Sequence, residues 1–450
     1  MKLKFLAIFL CLSISLGSVN VFGEPLSEAK QKGNLLQITA DAAILIDATT
    51  GEILYEKNKD KKEYPASITK LMTMLLAMEY GKFDETIIFS EEAVFGIERN
   101  SSHIAIDVGE ELSMNDAFYA IMLASANEVA LGLAEHIDGS IEAFAEHMTK
   151  RAAELGCTNT HFVNSNGLHD ENHYTTANDM ALITKELIKY DKFREVAKTL
   201  YWEIPPTNLQ TETRYLYAQH QMLKKQSLYY YEYALGGKTG FTNEAQNTLV
   251  TFAEKDGTTL IAVVLKEAGA NAYIDSATLF NYGFENFKTV EAFNAQNFSD
   301  EIEITDIKDD EPINAGKAFI SADENIYATV PADTLESDIK TEKSIENSSV
   351  PINAGDTVGS VKVYVADSLV GETVLRAKNS VLPVTSITET KEKETSGSSL
   401  LKVLKIIGVV FLILFALFIG LLVASEINFR KKIKKRRRYK YNIKYKNTRK

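Results

Sequence analysis

Apolar residues follow two different spacings along the first two-thirds of the chain. Residues 42–58 (AAILIDATTGEILYEKN) and 247–268 (NTLVTFAEKDGTTLIAVVLKEA) each contain two β-rich runs around turn residues, which predicts two hairpins. Residues 112–137 place apolar side chains at three- and four-residue steps, the period of a helix. Thr176 and Asp179 predict the capped start of another helix. Strands at both ends with helices between them predict an α/β sheet closed by its terminal segments.

The pattern changes after residue 285. Residues 290–385 contain short β-prone runs and many turns without an amphipathic helix, and predict a small β-rich domain. The sequence PINAG occurs at 312–316 and again at 351–355, which hints at two related β elements. Residues 386–402 are charged and Ser-rich and have no apolar face, so they predict a flexible linker.

Both ends of the chain carry patterns typical of membrane targeting. Residues 1–23 combine two lysines, an apolar run and small residues before a cleavage position, as in a secretory signal peptide. A transmembrane helix is expected at 403–425, because Ile406–Ala424 is 19 residues without a charge and would span roughly 28 Å. The tail at 426–450 ends in a run with 13 Lys or Arg, which predicts a cytoplasmic tail and an extracytoplasmic catalytic domain on a single-pass cell-membrane protein.

These ends change the meaning of the net charge. Removing Lys2, Lys4 and the 13 basic residues of the tail takes the formal charge from −12 to −27 for residues 24–429. A strongly acidic outer portion disfavours nucleic acid and other anionic polymers as tight partners. Cys11 lies in the predicted signal peptide and Cys157 is then the one mature cysteine, so no intramolecular disulfide is expected and Cys157 is predicted to be a buried, inert thiol.

Candidate chemistry begins in the stretch YPASITKLMT at 64–73. Ser67 and Lys70 are three residues apart, so a helix would place them on one face, and Pro65 suits the entrance of that helix. A desolvated amine beside a serine hydroxyl can take its proton and make it a nucleophile. On its own, a pattern with two fixed letters predicts no more than an ordinary helix start.

Two further motifs accompany the first in the same region. Ser125-Ala126-Asn127 interrupts the helical stretch, and LGGKTGFT at 235–242 precedes the second hairpin. The order SxxK, SxN, KTG is the constellation of penicillin-binding proteins and class A β-lactamases. The residues it selects are Ser67, Lys70, Ser125, Asn127, Lys238, Thr239 and Gly240. Together the motifs predict that Ser67 is a nucleophile and Lys70 its base.

The stretches PASITKLMT, SANEVA, NSNGLHDENHYTT and GGKTGFTNEA resemble the low-molecular-weight D-alanyl-D-alanine carboxypeptidases, the S11 serine peptidases. The resemblance extends over nearly all of residues 36–385. It implies a penicillin-binding protein/β-lactamase-like transpeptidase fold, an α/β fold with an antiparallel sheet and a helical cluster, at 36–285. A small all-β domain at 290–385 and a C-terminal transmembrane helix would follow.

The resemblance also implies a role for each site residue. Ser67 would attack the carbonyl of the penultimate D-alanine of a peptidoglycan stem pentapeptide, with Lys70 as base and Ser125 as proton relay. The substrate-binding residues would be Asn127, Lys238, Thr239, Gly240 and Phe241. The N–H groups of Ser67 and Phe241 would form the oxyanion hole. No metal or organic cofactor is implied, and β-lactam antibiotics would be covalent inhibitors.

Two stretches depart from the family's pattern. Residues 269–284 (GANAYIDSATLFNYGF) have Ala272 near the usual place of an Arg that helps to bind the terminal carboxylate. Gln246 and Asn247 stand where the family usually continues with glycine. These substitutions leave the acylation chemistry intact and bear on the preference for a terminal carboxylate.

Other functions remain open at this point. A D,D-endopeptidase acting on cross-links would use the same residues, and the missing Arg motivates a weakly active, penicillin-binding wall module. A β-lactamase is disfavoured, because residues 138–237 lack the glutamate of an ExxLN-like loop and a β domain follows. His169 and His173 lie in a loop without an HExxH pattern, so we expect them to be surface or loop-packing residues.

Overall fold

The computed structural model describes residue 33 and residues 35–365 and 367–384. The strands are β1 (Ala42–Asp47), β2 (Ile53–Lys57), β3 (Thr86–Ile88), β4 (Glu111–Ser113), β5 (Tyr201–Ile204), β6 (Arg214–Tyr217), β7 (Ala234–Thr242), β8 (Gln246–Lys255), β9 (Thr258–Glu267), β10 (Phe287–Phe293), β11 (Asp300–Lys308), β12 (Glu311–Ala322), β13 (Ile326–Pro331), β14 (Ile339–Ile345), β15 (Thr357–Val365) and β16 (Ser368–Ala377). The α-helices are α1 (Lys70–Tyr80), α2 (Glu91–Phe95), α3 (Met114–Tyr119), α4 (Asn127–Asp138), α5 (Ile141–Glu154), α6 (Ala177–Leu187), α7 (Asp191–Ala197) and α8 (Asn271–Asn286). A π-helix spans Ala120–Ala124, and 3₁₀ turns span Ala66–Thr69, Gln221–Leu223 and Glu336–Asp338.

The first and last strands of the predicted catalytic region, residues 36–285, close one antiparallel sheet. Its order is β2-β1-β9-β8-β7, and β1 pairs with β9 from Ala42–Leu265 to Asp47–Leu260. Both predicted hairpins, β1–β2 and β8–β9, are present, as is the capped start of α6, where the Thr176 side chain accepts from the Asp179 N–H. The prediction of a sheet closed by its terminal segments is confirmed.

The sheet is covered on both faces, which explains the continuous apolar run of β1. Ile44 and Ile46 point into a core shared with α1, whereas Ala43 and Leu45 point into a second core shared with α8. Helix α1 is buried around its whole circumference through most of its length, as expected for an all-round apolar helix inside a domain. Because α1 begins at Lys70, the candidate base is attached to the most enclosed helix of the fold.

Residues after α8 form β strands and one short 3₁₀ turn within the described part of the chain. Strand β10 pairs with β13, and β11-β12-β16-β15-β14 form a five-stranded sheet, as predicted for a small all-β domain. The buried carboxylate of Asp47 at the end of β1 accepts from the hydroxyls of Thr289 at 2.6 Å and Thr329 at 2.8 Å. The hint of two related β elements is wrong: PINAG lies within strand β12 at 312–316, whereas at 351–355 it lies outside the strands, with one isolated β-bridge at Ile352 and a turn after it.

The described residues divide into a large unit, 33–305 with 316–381, and a small one, 306–315 with 382–384. In the small unit, the Val384 N–H donates to the Asp306 carboxylate at 2.7 Å. Across the described ranges, no helix is long and apolar enough to cross a membrane. The predicted signal peptide (1–23), linker (386–402), transmembrane helix (403–425) and basic tail (426–450) lie outside the described residues.

Candidate active site

Ser67 lies in a tight turn that a neighbouring loop holds in place. The turn is the 3₁₀ segment Ala66–Thr69, which runs directly into α1. Ala66 has φ of 51°, a left-handed conformation that costs a non-glycine residue about 1–2 kcal/mol. Gly167, with φ of 85°, packs so closely that a Cβ there would lie 1.9 Å from the Ala66 carbonyl oxygen. The fold therefore stores backbone strain beside Ser67 and requires a glycine to do so.

Lys70 is fully buried, and its Nζ contacts three oxygen atoms. They are Ser67 Oγ at 3.0 Å, Asn127 Oδ1 at 2.6 Å and the Asn166 carbonyl oxygen at 2.6 Å. Burial, together with the positive charge of Lys238, lowers the pKa of Lys70 well below its ordinary value. A neutral amine has two hydrogens and one lone pair. If the two carbonyl oxygens accept the hydrogens, the lone pair is left for the Ser67 hydroxyl.

Ser125 and Asn127 lie where the predicted long helix breaks. The π-helix Ala120–Ala124 ends at Ser125, whose φ of 58° and ψ of 32° are left-handed, and α4 begins at Asn127. A π-helix followed by a left-handed residue cannot continue the i→i−4 hydrogen bonds, so the chain turns there. The break places the Ser125 hydroxyl toward β7 and the Asn127 amide toward Lys70, as the hydrogen bonds of both residues show.

Strand β7 supplies the second buried lysine. Lys238 is 2% exposed, and its Nζ donates to Ser125 Oγ at 3.0 Å and to the Thr239 carbonyl oxygen at 2.8 Å. Burial lowers the pKa of Lys238 to about 7. Near neutral pH this amine is therefore divided between its charged and neutral forms, and an arriving carboxylate would favour the charged form.

Gly240 allows β7 to approach the turn that carries Ser67. A Cβ at Gly240 would lie 2.4 Å from Thr248 Oγ1 and 2.9 Å from the backbone nitrogen of Ser67. The Thr248 hydroxyl donates to the Pro65 carbonyl oxygen at 2.8 Å, so β8 also holds the turn. Phe241, the next residue on β7, has a side chain that is 62% exposed to solvent.

The structure brings together the residues that the sequence singled out. The pairs Lys70–Ser67, Lys70–Asn127 and Lys238–Ser125 are in hydrogen-bond contact. Thr239, Gly240 and Phe241 follow Lys238 along β7. Sequence reasoning missed the carbonyl of Asn166, because a backbone oxygen carries no signature of its own. It also missed Thr248, whose hydroxyl holds the Ser67 turn from β8. The stretch NSNGLHDENHYTT, which contains Asn166 and Gly167, was the available signal for the loop that contacts the site.

Three other predictions concern His169, His173 and Cys157, of which His169 is exposed, as expected for a surface residue. His173 is buried: its Nδ1 accepts from the Val163 N–H at 3.2 Å, so its Nε2–H donates to Thr69 Oγ1 at 2.8 Å. Burial lowers its pKa to about 3, and the loop-packing interpretation is correct for this neutral ring. Cys157 is buried as expected, and burial raises the pKa of its thiol.

The two departures from the family's pattern occupy different surroundings. Ala272 is buried in the first turn of α8 and belongs to the core on that face of the sheet. Gln246 has φ of 53°, in the left-handed region that favours glycine. The residue that replaces glycine therefore keeps a glycine-like backbone, and β8 still begins there.

Comparisons with known proteins agree with this geometry. Residues 27–269 match the family model described as D-alanyl-D-alanine carboxypeptidase, peptidase S11. Residues 303–382 match the model described as penicillin-binding protein 5, C-terminal domain. Both matches fall on the regions that carry the site and the β-rich sheet, respectively.

Individual relatives cover most of the same residues. The D-alanyl-D-alanine carboxypeptidase DacF of Bacillus subtilis is 31% identical over 370 residues, which are 79% of this chain and 90% of the relative. DacA of Escherichia coli is 28% identical over 347 residues, covering 72% and 79% of the two chains. The crystal structure of penicillin-binding protein 5 from Haemophilus influenzae superposes with a TM-score of 0.65 at 26% identity, covering 77% of this chain and 98% of that one. The chain belongs to the D-alanyl-D-alanine carboxypeptidase family, the serine peptidases S11.

Proposed function

We propose that this chain is a penicillin-sensitive, serine-type D-Ala-D-Ala carboxypeptidase that removes the terminal D-alanine from peptidoglycan stem pentapeptides through an acyl-enzyme on Ser67. One observation carries the assignment of roles. The Lys70 amine is buried, has a depressed pKa, and lies 3.0 Å from Ser67 Oγ with carbonyl oxygens on its other sides. That arrangement suits a base and not a structural cation.

In the acylation step, Ser67 Oγ attacks the carbonyl carbon of the penultimate D-alanine while its proton passes to Lys70 Nζ. The carbonyl oxygen becomes an oxyanion, which the N–H groups of Ser67 and Phe241 stabilise. One donor of this kind contributes about 10²–10³ in rate. Gly240 matters here because it lets β7 approach to within contact of the Ser67 backbone nitrogen.

Collapse of the oxyanion breaks the peptide bond and needs a proton on the leaving nitrogen. Ser125 Oγ, which accepts from Lys238 Nζ at 3.0 Å, keeps its own hydrogen free to donate to that nitrogen. Terminal D-alanine leaves with the proton, and an ester remains on Ser67. The Lys70 ammonium returns a proton to Ser125 Oγ, so that Lys70 is neutral again and Ser125 has relayed the proton that Ser67 lost. Water then attacks the ester with Lys70 as base, which releases the shortened stem and restores the Ser67 hydroxyl.

Recognition of the terminal carboxylate falls to β7, since Ala272 offers no cation. Lys238 Nζ supplies the positive charge and Thr239 a hydroxyl, while Asn127 holds the backbone of the substrate. Binding a carboxylate beside Lys238 would raise the pKa of this amine from about 7. The bound carboxylate would thus favour the protonated form of Lys238. The Lys238 ammonium would then take the place of the family's usual Arg in binding the carboxylate.

We also propose that the enzyme acts on the outer face of a cytoplasmic membrane, anchored by residues 403–425. The uncharged run Ile406–Ala424 and the basic tail support this placement. Alkaline extraction of membranes tests it: an anchored enzyme stays in the pellet, and release of the mature protein would contradict the anchor.

The first experiment is release of D-alanine from a pentapeptide-stem muropeptide, with Ser67→Ala as control. Release that the control abolishes supports the carboxypeptidase. Protein that forms a covalent adduct with penicillin at Ser67 but releases no D-alanine would contradict it. Cleavage of cross-linked dimers by such protein would then identify a D,D-endopeptidase, and absence of both activities would leave the weakly active wall module.

A further inference from the structure

The hairpin of β5 and β6 displays three tyrosines on one face. Tyr201 pairs with Tyr217, and Glu203 pairs with Tyr215, so these four side chains project outward together. Tyr201, Tyr215 and Tyr217 are 41%, 58% and 65% exposed. Exposed aromatic clusters of this kind mark interaction sites on soluble domains.

The inward face of the hairpin is firmly fixed to the catalytic region. Trp202 stacks on Tyr119 with a centroid separation of 3.7 Å, and its indole N–H donates to Asp116 at 2.8 Å. Arg214 donates to the solvent-inaccessible Glu110 at 2.7 Å. The outward rings are therefore carried on a rigid base, and a ligand would lose little affinity to the ordering of this surface.

The outward rings form an ordered surface. The planes of Tyr201 and Tyr215 lie within 9° of each other with centroids 6.4 Å apart, and the centroid of Tyr217 lies 5.2 Å from that of Tyr201. The Tyr201 hydroxyl donates to Glu203. Aromatic faces are electron-rich and attract the C–H groups of a pyranose ring, while the phenol and carboxylate oxygens can accept hydrogens from sugar hydroxyls and N-acetyl groups.

The charge of the outward residues and the position of the hairpin further restrict the class of ligand. None of the four outward residues is basic, which disfavours an acidic polymer. Gln219, two residues beyond Tyr217, donates to the Ala124 carbonyl oxygen at 3.2 Å, and Ala124 precedes Ser125. The segment after the hairpin therefore contacts the residue before Ser125, which links the hairpin to the backbone that carries the site.

We propose that Tyr201, Tyr215 and Tyr217, the tyrosine platform, bind the neutral amino-sugar chain of peptidoglycan while the stem peptide is bound at Ser67. The proposal rests on the proposed function, because the glycan is the polymer that carries the stem. It adds a sugar-binding site and predicts that the enzyme prefers stems on intact strands to free peptides.

The test compares two substrates that differ only in the glycan. The value of kcat/KM for D-alanine release is measured on a free stem pentapeptide and on the same stem carried by a glycan oligomer. We expect the full-length Tyr201→Ala/Tyr217→Ala variant to lose about tenfold on the oligomer alone, as for an aromatic hot spot. Tyr201→Phe/Tyr217→Phe should keep most of the preference, because ring faces make the contact. Tyr327→Ala, at a tyrosine of β13 that is 44% exposed, is the control.

Equal losses on both substrates, or no loss on either, would overturn the tyrosine platform. If the wild-type chain releases no D-alanine from either substrate, the proposed function fails and a binding measurement decides the platform separately. N-acetylglucosamine oligomers, which carry no carboxylate, are titrated into Ser67→Ala protein with and without Tyr201→Ala/Tyr217→Ala. Binding that the alanines abolish supports the platform. No binding to Ser67→Ala protein overturns it and leaves this face to a protein contact.

Discussion

The catalytic region contains fully buried charged side chains, whereas the ion pairs of the β-rich region lie at the surface. In residues 36–285, the charged groups of Lys70, Lys238, Glu110 and Glu128 are at most 2% exposed. In residues 290–384, the ion pairs lie on the surface, with every partner at least one-third exposed. These pairs are Lys317–Glu301, Lys340–Asp367, Lys343–Asp300 and Arg376–Asp323.

This difference in the exposure of charged side chains distinguishes a region that contains a candidate active site from a region that is stabilised by apolar packing. Burying an ion costs several kcal/mol even after the protein relaxes, so a fold keeps such groups where they serve a purpose. The β-rich sheet is stabilised by apolar residues such as Ile304, Ile320 and Val363, and its surface charges face water. We therefore expect large effects when the buried charged residues of the first region are substituted and small effects when the surface ion pairs of the second are.

Replacing Lys70 should have the largest effect. Lys70→Met keeps the length of the side chain but removes the proposed base, and general-base catalysis is worth about 10²–10⁴ in rate. The acylation rate with a fluorescent penicillin should fall by about that factor. Lys189→Met, at an exposed lysine of the same region, is the matched control. Acylation within tenfold of wild type would show that another group takes the Ser67 proton.

Breaking the buried ion pair of Arg214 and Glu110 should have the next largest effect, a loss of folding stability. Burial alone would raise the pKa of Glu110, but hydrogen bonds from Arg214 and its neighbours lower it overall. Arg214→Leu leaves an uncompensated buried carboxylate, which costs about 3–5 kcal/mol. Without Arg214, burial raises the folded-state pKa of Glu110, so the loss should be smaller at pH 4 than at pH 7. Urea denaturation at both values measures it, and an equal loss at both would argue that packing, not charge, is responsible.

A methyl group at Gly240 should disable the site while leaving the fold. In Gly240→Ala the new Cβ meets Thr248 Oγ1 at 2.4 Å and the Ser67 nitrogen at 2.9 Å. Strand β7 would have to move away from the Ser67 turn, and a displacement of about 1 Å can cost about 10² in rate. Acylation rate and Tm are measured together. A loss of Tm with unchanged acylation by the folded fraction would contradict a role in positioning.

A change in pH should reveal the depressed pKa of Lys238. As pH rises through about 7, Lys238 loses its charge, so kcat/KM for a substrate with a terminal carboxylate should fall. Bound carboxylate favours the charged form, so the fall in kcat should lie at higher pH. Lys238→Arg stays charged throughout and should lose this alkaline fall, at about a tenfold lower rate at pH 7 because guanidinium is a poor substitute for a compact ammonium. An unchanged alkaline fall in Lys238→Arg would assign it to another group.

Much of the candidate site and of the secondary structure could be predicted from the sequence. Three short motifs in a fixed order identified Ser67, Lys70, Ser125, Asn127 and Lys238, because side-chain chemistry at fixed spacing leaves a readable pattern. Apolar spacing also predicted the two hairpins and the β-rich region.

Other parts could not be predicted, because they depend on contacts between distant segments. The Asn166 carbonyl accepts from Lys70, 96 residues earlier in the chain. Glu110 and Arg214 are 104 residues apart and meet only after folding. The repeat PINAG misled because the same five-residue sequence lies within a strand at 312–316 and outside the strands at 351–355, where Ile352 forms an isolated β-bridge. A short sequence does not determine whether a segment forms a β-strand, because pairing with distant strands decides it.

The smallest effect is expected on the surface of the β-rich region. Lys340 and Asp367 lie 3.0 Å apart, with side chains 63% and 88% exposed. Water already solvates both charges, and salt screens their attraction, so the pair contributes little to folding. Lys340→Ala should leave Tm, penicillin acylation and D-alanine release unchanged within error, at low and at high salt. If Lys340→Ala lowered Tm as much as Arg214→Leu does, exposure would no longer explain which charged residues matter, and the contrast between the two regions would have to be sought in their packing.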